Sequence, residues 1–131
     1  MNYLTKSEIL QAKDIQTEDV SVPEWGGIVL VRGLTGRERD SLEASMIEGK
    51  GKNAQVNLIN LRAKLVARSI VDEAGKRVFE DADIPALAQK SAMALTRVYD
   101  VAQRLSGITP EDVDELTKNS EAAQSEGSGS N

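Results

Sequence analysis

Residues 84–105 read IPALAQKSAMALTRVYDVAQRL, and the placement of the apolar side chains in this stretch decides the fold. Ile84, Leu87, Ala88, Ala92, Leu95, Val98, Tyr99, Ala102 and Leu105 recur at steps of three and four, the spacing at which side chains share one face of an α-helix. Asp83 stands where an N-cap belongs, and Pro85 falls in the first turn, where its missing N–H costs least. Ser106 and Gly107 follow the last apolar residue, as helix ends prefer. A continuous helix over Ile84 to Leu105 is about 33 Å long at the standard rise per residue, enough to span a small domain.

Working outward toward the N-terminus, Leu58, Leu61, Leu65, Val66 and Ile70 keep helical spacing, which predicts a helix over Ala54 to Ile70 with one buried stripe. Residues 72–77, DEAGKR, form a turn sequence between the short apolar segments Ile70-Val71 and Val78-Phe79, compatible with a small hairpin or an ordered loop. Residues 49–53, GKGKN, have the composition of a loop. Thr35 with Glu38 three residues later is a capping-box pattern and predicts a helix carrying Leu42 and Met46 on one face. Val20 and Val22 alternate with polar neighbours, residues 23–27, PEWGG, supply a turn, and Ile28 to Arg32 reads as a strand. Together they predict a β-hairpin tipped by Pro23 to Gly27. Thr5 with Glu8 repeats the capping box and predicts a short helix to Ala12.

Past Gly107, residues 109–112, TPED, restart a short acidic helix on which Val113 and Leu116 can dock. From Asn119 no large apolar residue follows, which predicts a disordered polar tail over 119–131. The expected architecture is a single α+β domain over 1–118, mostly helical, with a small N-terminal β-hairpin packed against about four to five helices. The pattern leaves open whether 20–32 pairs with 70–79 in one sheet.

Composition narrows the chemistry. The chain has 131 residues, a length that suits one domain. Its only aromatics are Tyr3, Trp25, Phe79 and Tyr99, so the core has to be aliphatic. Cysteine and histidine are both absent, which removes thiolate nucleophiles, sulfur-ligated metals, imidazole zinc ligands and every triad built on histidine. No catalytic residue, cofactor or metal is expected. The net charge of −5 opposes a phosphate-dominated affinity for nucleic acid. The longest apolar runs, such as Ile28 to Val31, fall far below the roughly 20 residues that cross a bilayer. Residues 1–8, MNYLTKSE, lack the basic and apolar segments of a signal peptide, so the expectation is a protein that stays in the cytoplasm.

Three features invite functional readings. Residues 49–53 fail the phosphate-loop pattern on spacing and on context. The carboxylate groups at Asp72-Glu73, Glu80-Asp81-Asp83 and Glu111-Asp112-Asp114 are explained by helix starts and solvated faces, where negative charge near an N-terminus is favourable. Trp25, alone between Pro23 and Gly26-Gly27, either closes the core or forms a protein-binding contact at the hairpin tip.

Residues 22–40, VPEWGGIVLVRGLTGRERD, resemble the start of tail assembly chaperones of long-tailed bacteriophages. Residues 62–79, RAKLVARSIVDEAGKRVF, then 105–109, LSGIT, and 118–120, KNS, continue the likeness, which runs in order from about Leu10 to Ser120. The resemblance implies a non-virion protein of the host cytoplasm that coats the helical tape measure protein, keeps it soluble and recruits tail tube subunits. It also implies many copies on one client, hence a homo-oligomer, and a short form of a frameshift pair. The alternative reading of equal size and charge is a structural head–tail connector or tail-completion protein of the virion.

Overall fold

The computed structural model of the chain describes residues 2–49, 52, 55–109 and 111–112. The polar stretch 119–131 and the docking residues Val113 and Leu116 lie outside the described residues. The first element, α1 (Lys6–Gln11), is closed at its start by the expected capping box: Thr5 Oγ1 accepts from the Glu8 amide at 3.2 Å and Glu8 accepts from the Thr5 amide at 3.0 Å. Strands β1 (Thr17–Val22) and β2 (Gly27–Arg32) form the expected antiparallel hairpin, with Glu18 opposite Val31 and Val20 opposite Val29. The alternation of the sequence puts Val20, Val22 and Val31 on one face, and all three are buried.

The next helix, α2 (Gly36–Ser45), starts at Thr35 with a second capping box to Glu38. Its face residue Leu42 and the following Met46 are buried, as their spacing implies. Beyond it, β3 (Ile47–Glu48) pairs with β4 (Gln55–Val56), so Gln55 and Val56, read as part of a helix, are instead a strand. The helix α3 spans only Leu61–Ser69. Two asparagines delay it. Asn57 Oδ1 accepts from the Ile59 amide at 2.8 Å, a local turn that competes with helix, and Asn60 takes a left-handed backbone with φ of 67°.

Strand β5 (Ile70–Val71) adds to β2 through Leu30 opposite Val71 and Val31 opposite Ile70, which makes a three-stranded antiparallel sheet in the order β1-β2-β5. The 70–79 segment therefore does join the hairpin. Asp72 Oδ1 accepts from the amides of Ala74 and Lys76, Gly75 takes φ of 85°, and Arg77 bridges back to Val71, so residues 72–77 turn a very short hairpin.

The long helix expected over Ile84 to Leu105 is two helices, α4 (Ile84–Leu87) and α5 (Ala92–Leu105). The Gln89 and Lys90 amides bond to carbonyls three residues back, at 3.1 and 3.0 Å, which tightens the end of α4. Ser91 then adopts an extended backbone and its Oγ accepts from the Ala94 amide at 3.3 Å, starting α5 afresh. Asp83 does not cap α4 with its side chain. Its carboxylate accepts from the Glu80 amide at 2.8 Å and closes the single 3-10 turn Asp81–Asp83 before α4.

The fold is α+β and mostly helical, with one N-terminal hairpin and five α-helices among the described residues. Helix α5 lies on β1 and β2, and α3 packs against α5, α4 and α2. The core where they meet is aliphatic, with Val22, Val31, Leu65, Val66 and Val98 fully buried. Helix α3 is enclosed on more than one side, since six of its residues, including Arg68 and Ser69, are buried. That differs from the single stripe read in the sequence, because α3 has neighbours on three helices.

Candidate functional site

The hairpin tip places Trp25. Pro23 sets φ for a single 3-10 turn over Pro23–Trp25, and Gly26 at φ of 76° returns the chain to β2 in a conformation costly for other residues. Glu24 reaches α5, where Arg97 donates to its carboxylate at 2.8 Å. That bond, aided by its own backbone amide, holds the Glu24 carboxyl below the usual range. With the tip fixed, the Trp25 indole packs against the core while remaining half-buried. Of the two readings that the sequence allowed, the core contact is present, and part of the indole stays accessible. Its Nε1–H is buried and has no hydrogen-bond partner among the described residues, a state that costs about 1–3 kcal/mol.

Phe79 stands beside Trp25, and the two form a ridge between two apolar depressions. On one side lies a groove of about 700 Å³ walled by Val78, Ala86 and Leu87, with Glu24, Asp83 and Lys90 around it. On the other lies a groove of about 550 Å³ over Ile28, Val29, Leu30 and Val71, edged by Asp19, Asp72 and Glu73. Both are open concavities of the kind that accept side chains from a partner. A third depression of about 430 Å³ is lined by Leu58, Leu61, Ala88, Leu95 and Tyr99, where the Arg62 guanidinium lies 5.8 Å from the Tyr99 ring centre.

The carboxylates serve turns, caps and ion pairs. Asp72 organises its turn, Asp81 accepts from Arg77 at 3.0 Å, and Asp112 accepts from the Thr109 amide at 2.8 Å and pairs with Arg39. Hydrogen bonds from Arg77 and Thr109 hold the Asp81 and Asp112 carboxyls low. No group of three or more His, Cys, Asp or Glu able to hold a metal occurs among the described residues. The alternating charges at residues 37–40 are more than a solvated face, because Glu38 binds Arg32 through both guanidinium nitrogens and Arg39 contacts Glu43. Sequence reasoning singled out Trp25 but missed Ile28, Val78, Phe79 and Leu87 as its companions. Their only local signal was the lone Phe79 in a short apolar segment.

Fold and site together define a small α+β module whose concave surfaces are walled by aliphatic and aromatic side chains. The family model described as phage tail assembly chaperone matches residues 5–123, and the chain belongs to that family. Membership of a chaperone family implies a non-catalytic role. No curated protein and no solved structure matches the chain. No helix among the described residues is long and apolar enough to cross a membrane.

Proposed function

We propose that this chaperone binds the phage tape measure protein in the host cytoplasm, keeps it soluble during tail assembly, and helps to recruit tail tube subunits. The observation that carries the reading is the groove of about 700 Å³ beside Trp25, in a chain that belongs to the tail assembly chaperone family. A long helical client exposes apolar stripes before it is enclosed, and an amphipathic helix seats such a stripe in a groove through side chains three and four positions apart. Trp25 supplies a rigid aromatic wall for the client's apolar side chains. Glu24, Asp83 and Lys90 around the apolar floor set the orientation of the helix. One long client presents many such stripes, so several copies of the chain act together.

Co-expression with the long, helix-rich protein encoded downstream tests the proposal. The expected outcome is a client that becomes soluble and co-purifies with several copies of the chain. Ala86→Glu, which puts a charge on the exposed groove wall without opening the core, abolishes that recovery. A client that stays insoluble while the chain elutes alone rejects the reading, and finding the chain in purified virions favours a connector or tail-completion role.

A further inference from the structure

Beyond α5 the chain starts a further turn beside α2. Thr109 Oγ1 accepts from the Asp112 amide at 3.1 Å and Asp112 accepts from the Thr109 amide at 2.8 Å, the same reciprocal box that starts α1 and α2. Arg39 on α2 lies 3.4 Å from the Asp112 carboxylate. Asp112 thereby lines a narrow crevice with Leu42, Met46, Leu61 and Tyr99. Residues 113–131 lie outside the described residues, but the sequence carries the helix signal onward. Pro110 stands just after the cap, where helices favour it, and Val113 and Leu116 are three apart, the spacing that shares one helical face.

Leu61 and Tyr99 are also walls of the groove of about 430 Å³, so that groove opens next to the point from which the chain continues. Leu58, Ala88 and Leu95 make it apolar, and Leu58 is 39% exposed there. Its charged lining residues are Arg62 and Lys90, both exposed, with no carboxylate among the described lining residues. The continuing segment is opposite in sign: residues 111–116, EDVDEL, hold four acids and no base. At about 100° per helical residue, Asp114 and Glu115 fall on the two flanks of the Val113–Leu116 face. A rise of about 1.5 Å per residue puts Leu116 about 6 Å beyond Asp112, in reach of the Leu61–Tyr99 wall. Apolar surface meets apolar surface, and acidic flanks meet a basic rim.

We propose that residues 113–118 dock in the Leu58–Tyr99 groove of their own chain, with Val113 and Leu116 on its apolar walls and Asp114 and Glu115 against Arg62 and Lys90. The tether makes a modest contact sufficient, since a short connection sets an effective concentration on the order of millimolar. The docked segment closes this groove to other helices and leaves the one beside Trp25 as the open apolar surface. The contact involves neither a client nor a second copy, and stands or falls separately from tape measure binding.

The test is amide hydrogen exchange on the full chain alone. In wild type the amides of 113–118 are expected to exchange about tenfold or more slowly than in Leu116→Asp, as a packed segment does relative to a frayed one. Ala92→Glu places an acid in the groove, at an exposed first-turn position of α5 where negative charge favours the helix, so the body stays folded. It speeds exchange in 113–118 to the same extent, although it lies far from them in sequence. Arg62→Glu with Lys90→Glu does likewise, and adding Asp114→Lys with Glu115→Lys restores protection. Circular dichroism checks each fold, and if Ala92→Glu disturbs it the charge exchange decides alone. Protection is also independent of chain concentration. Wild-type amides at 113–118 as fast as those of Leu116→Asp overturn the proposal. So does protection that the groove variants leave untouched, which would place the segment elsewhere, and so does protection that grows with concentration, which would make the occupant a second copy.

Discussion

Gly33 links β2 to α2 over the end of α5, and the contact leaves no space for a side chain. A Cβ built there falls 2.5 Å from the Leu105 carbonyl oxygen, a backbone atom that cannot rotate away. The Leu34 amide donates to Ser106 Oγ at 3.0 Å, so the loop and the helix end are also bonded. Gly33→Ala should therefore destabilise the chain by about 2–3 kcal/mol, as overpacking does, measured by urea denaturation. A variant as stable as wild type would show that the close approach does not exist in solution. Two residues from Gly33 begins the Thr35 cap, where Glu38 binds Arg32 at 2.8 Å and accepts from the Thr35 amide at 2.9 Å. Partial burial raises the Glu38 pKa, but the Arg32 and Thr35 hydrogen bonds outweigh it and bring the value to about 2 from 4.5. A carboxyl with a folded pKa below its unfolded one stabilises the fold above the unfolded value and loses that contribution as pH falls toward the folded value. Stability should thus decline between pH 4.5 and 2, and Glu38→Gln should flatten that part of an acid titration of the unfolding free energy. An unchanged acid limb in the variant would remove Glu38 from the explanation.

At the scale of elements, local chemistry was legible where both partners lie within four residues. The Thr5–Glu8 and Thr35–Glu38 boxes start α1 and α2 as read, and the Val20–Val22 alternation and the PEWGG turn form the hairpin as read. The break between α4 and α5 was hidden because the apolar period stays in phase on both sides of it. The tightened turn at Gln89 and Lys90 ends α4, and the Ser91 hydroxyl, which accepts from the Ala94 amide, starts α5. Ser91→Ala should cost about 1 kcal/mol, the usual value of a lost serine cap, in a chemical denaturation series. Helix α1 makes the opposite prediction. With no buried residue, Ile9→Ala and Leu10→Ala should leave the stability of the dilute chain within about 0.5 kcal/mol of wild type. A larger loss at low concentration would mean that the arm packs on its own body.

For the whole molecule, α5 is oriented on the hairpin by two ion pairs, Arg104 with Glu18 at 2.8 Å and Arg97 with Glu24 at 2.8 Å. Exposed pairs of this kind contribute about 0–1 kcal/mol each, so they set direction more than strength. Strength comes from the aliphatic centre, where Leu65 is 1% exposed. Leu65→Ala should destabilise by about 3–4 kcal/mol and lower the thermal midpoint, which calorimetry would read. The sequence by itself determined the aliphatic core, the helix-rich α+β class, the hairpin, the caps and the likeness to tail assembly chaperones, because each depends on residue types or on spacings of two to four. Only the tertiary structure decided that Ile70–Val71 extends the sheet, that α3 is enclosed by three helices, that Trp25 and Phe79 form one ridge between two grooves, and that the α1 arm lies bare. Such features join residues far apart in the chain through packing and strand pairing, and contacts of that range leave no periodic mark on the sequence around either partner.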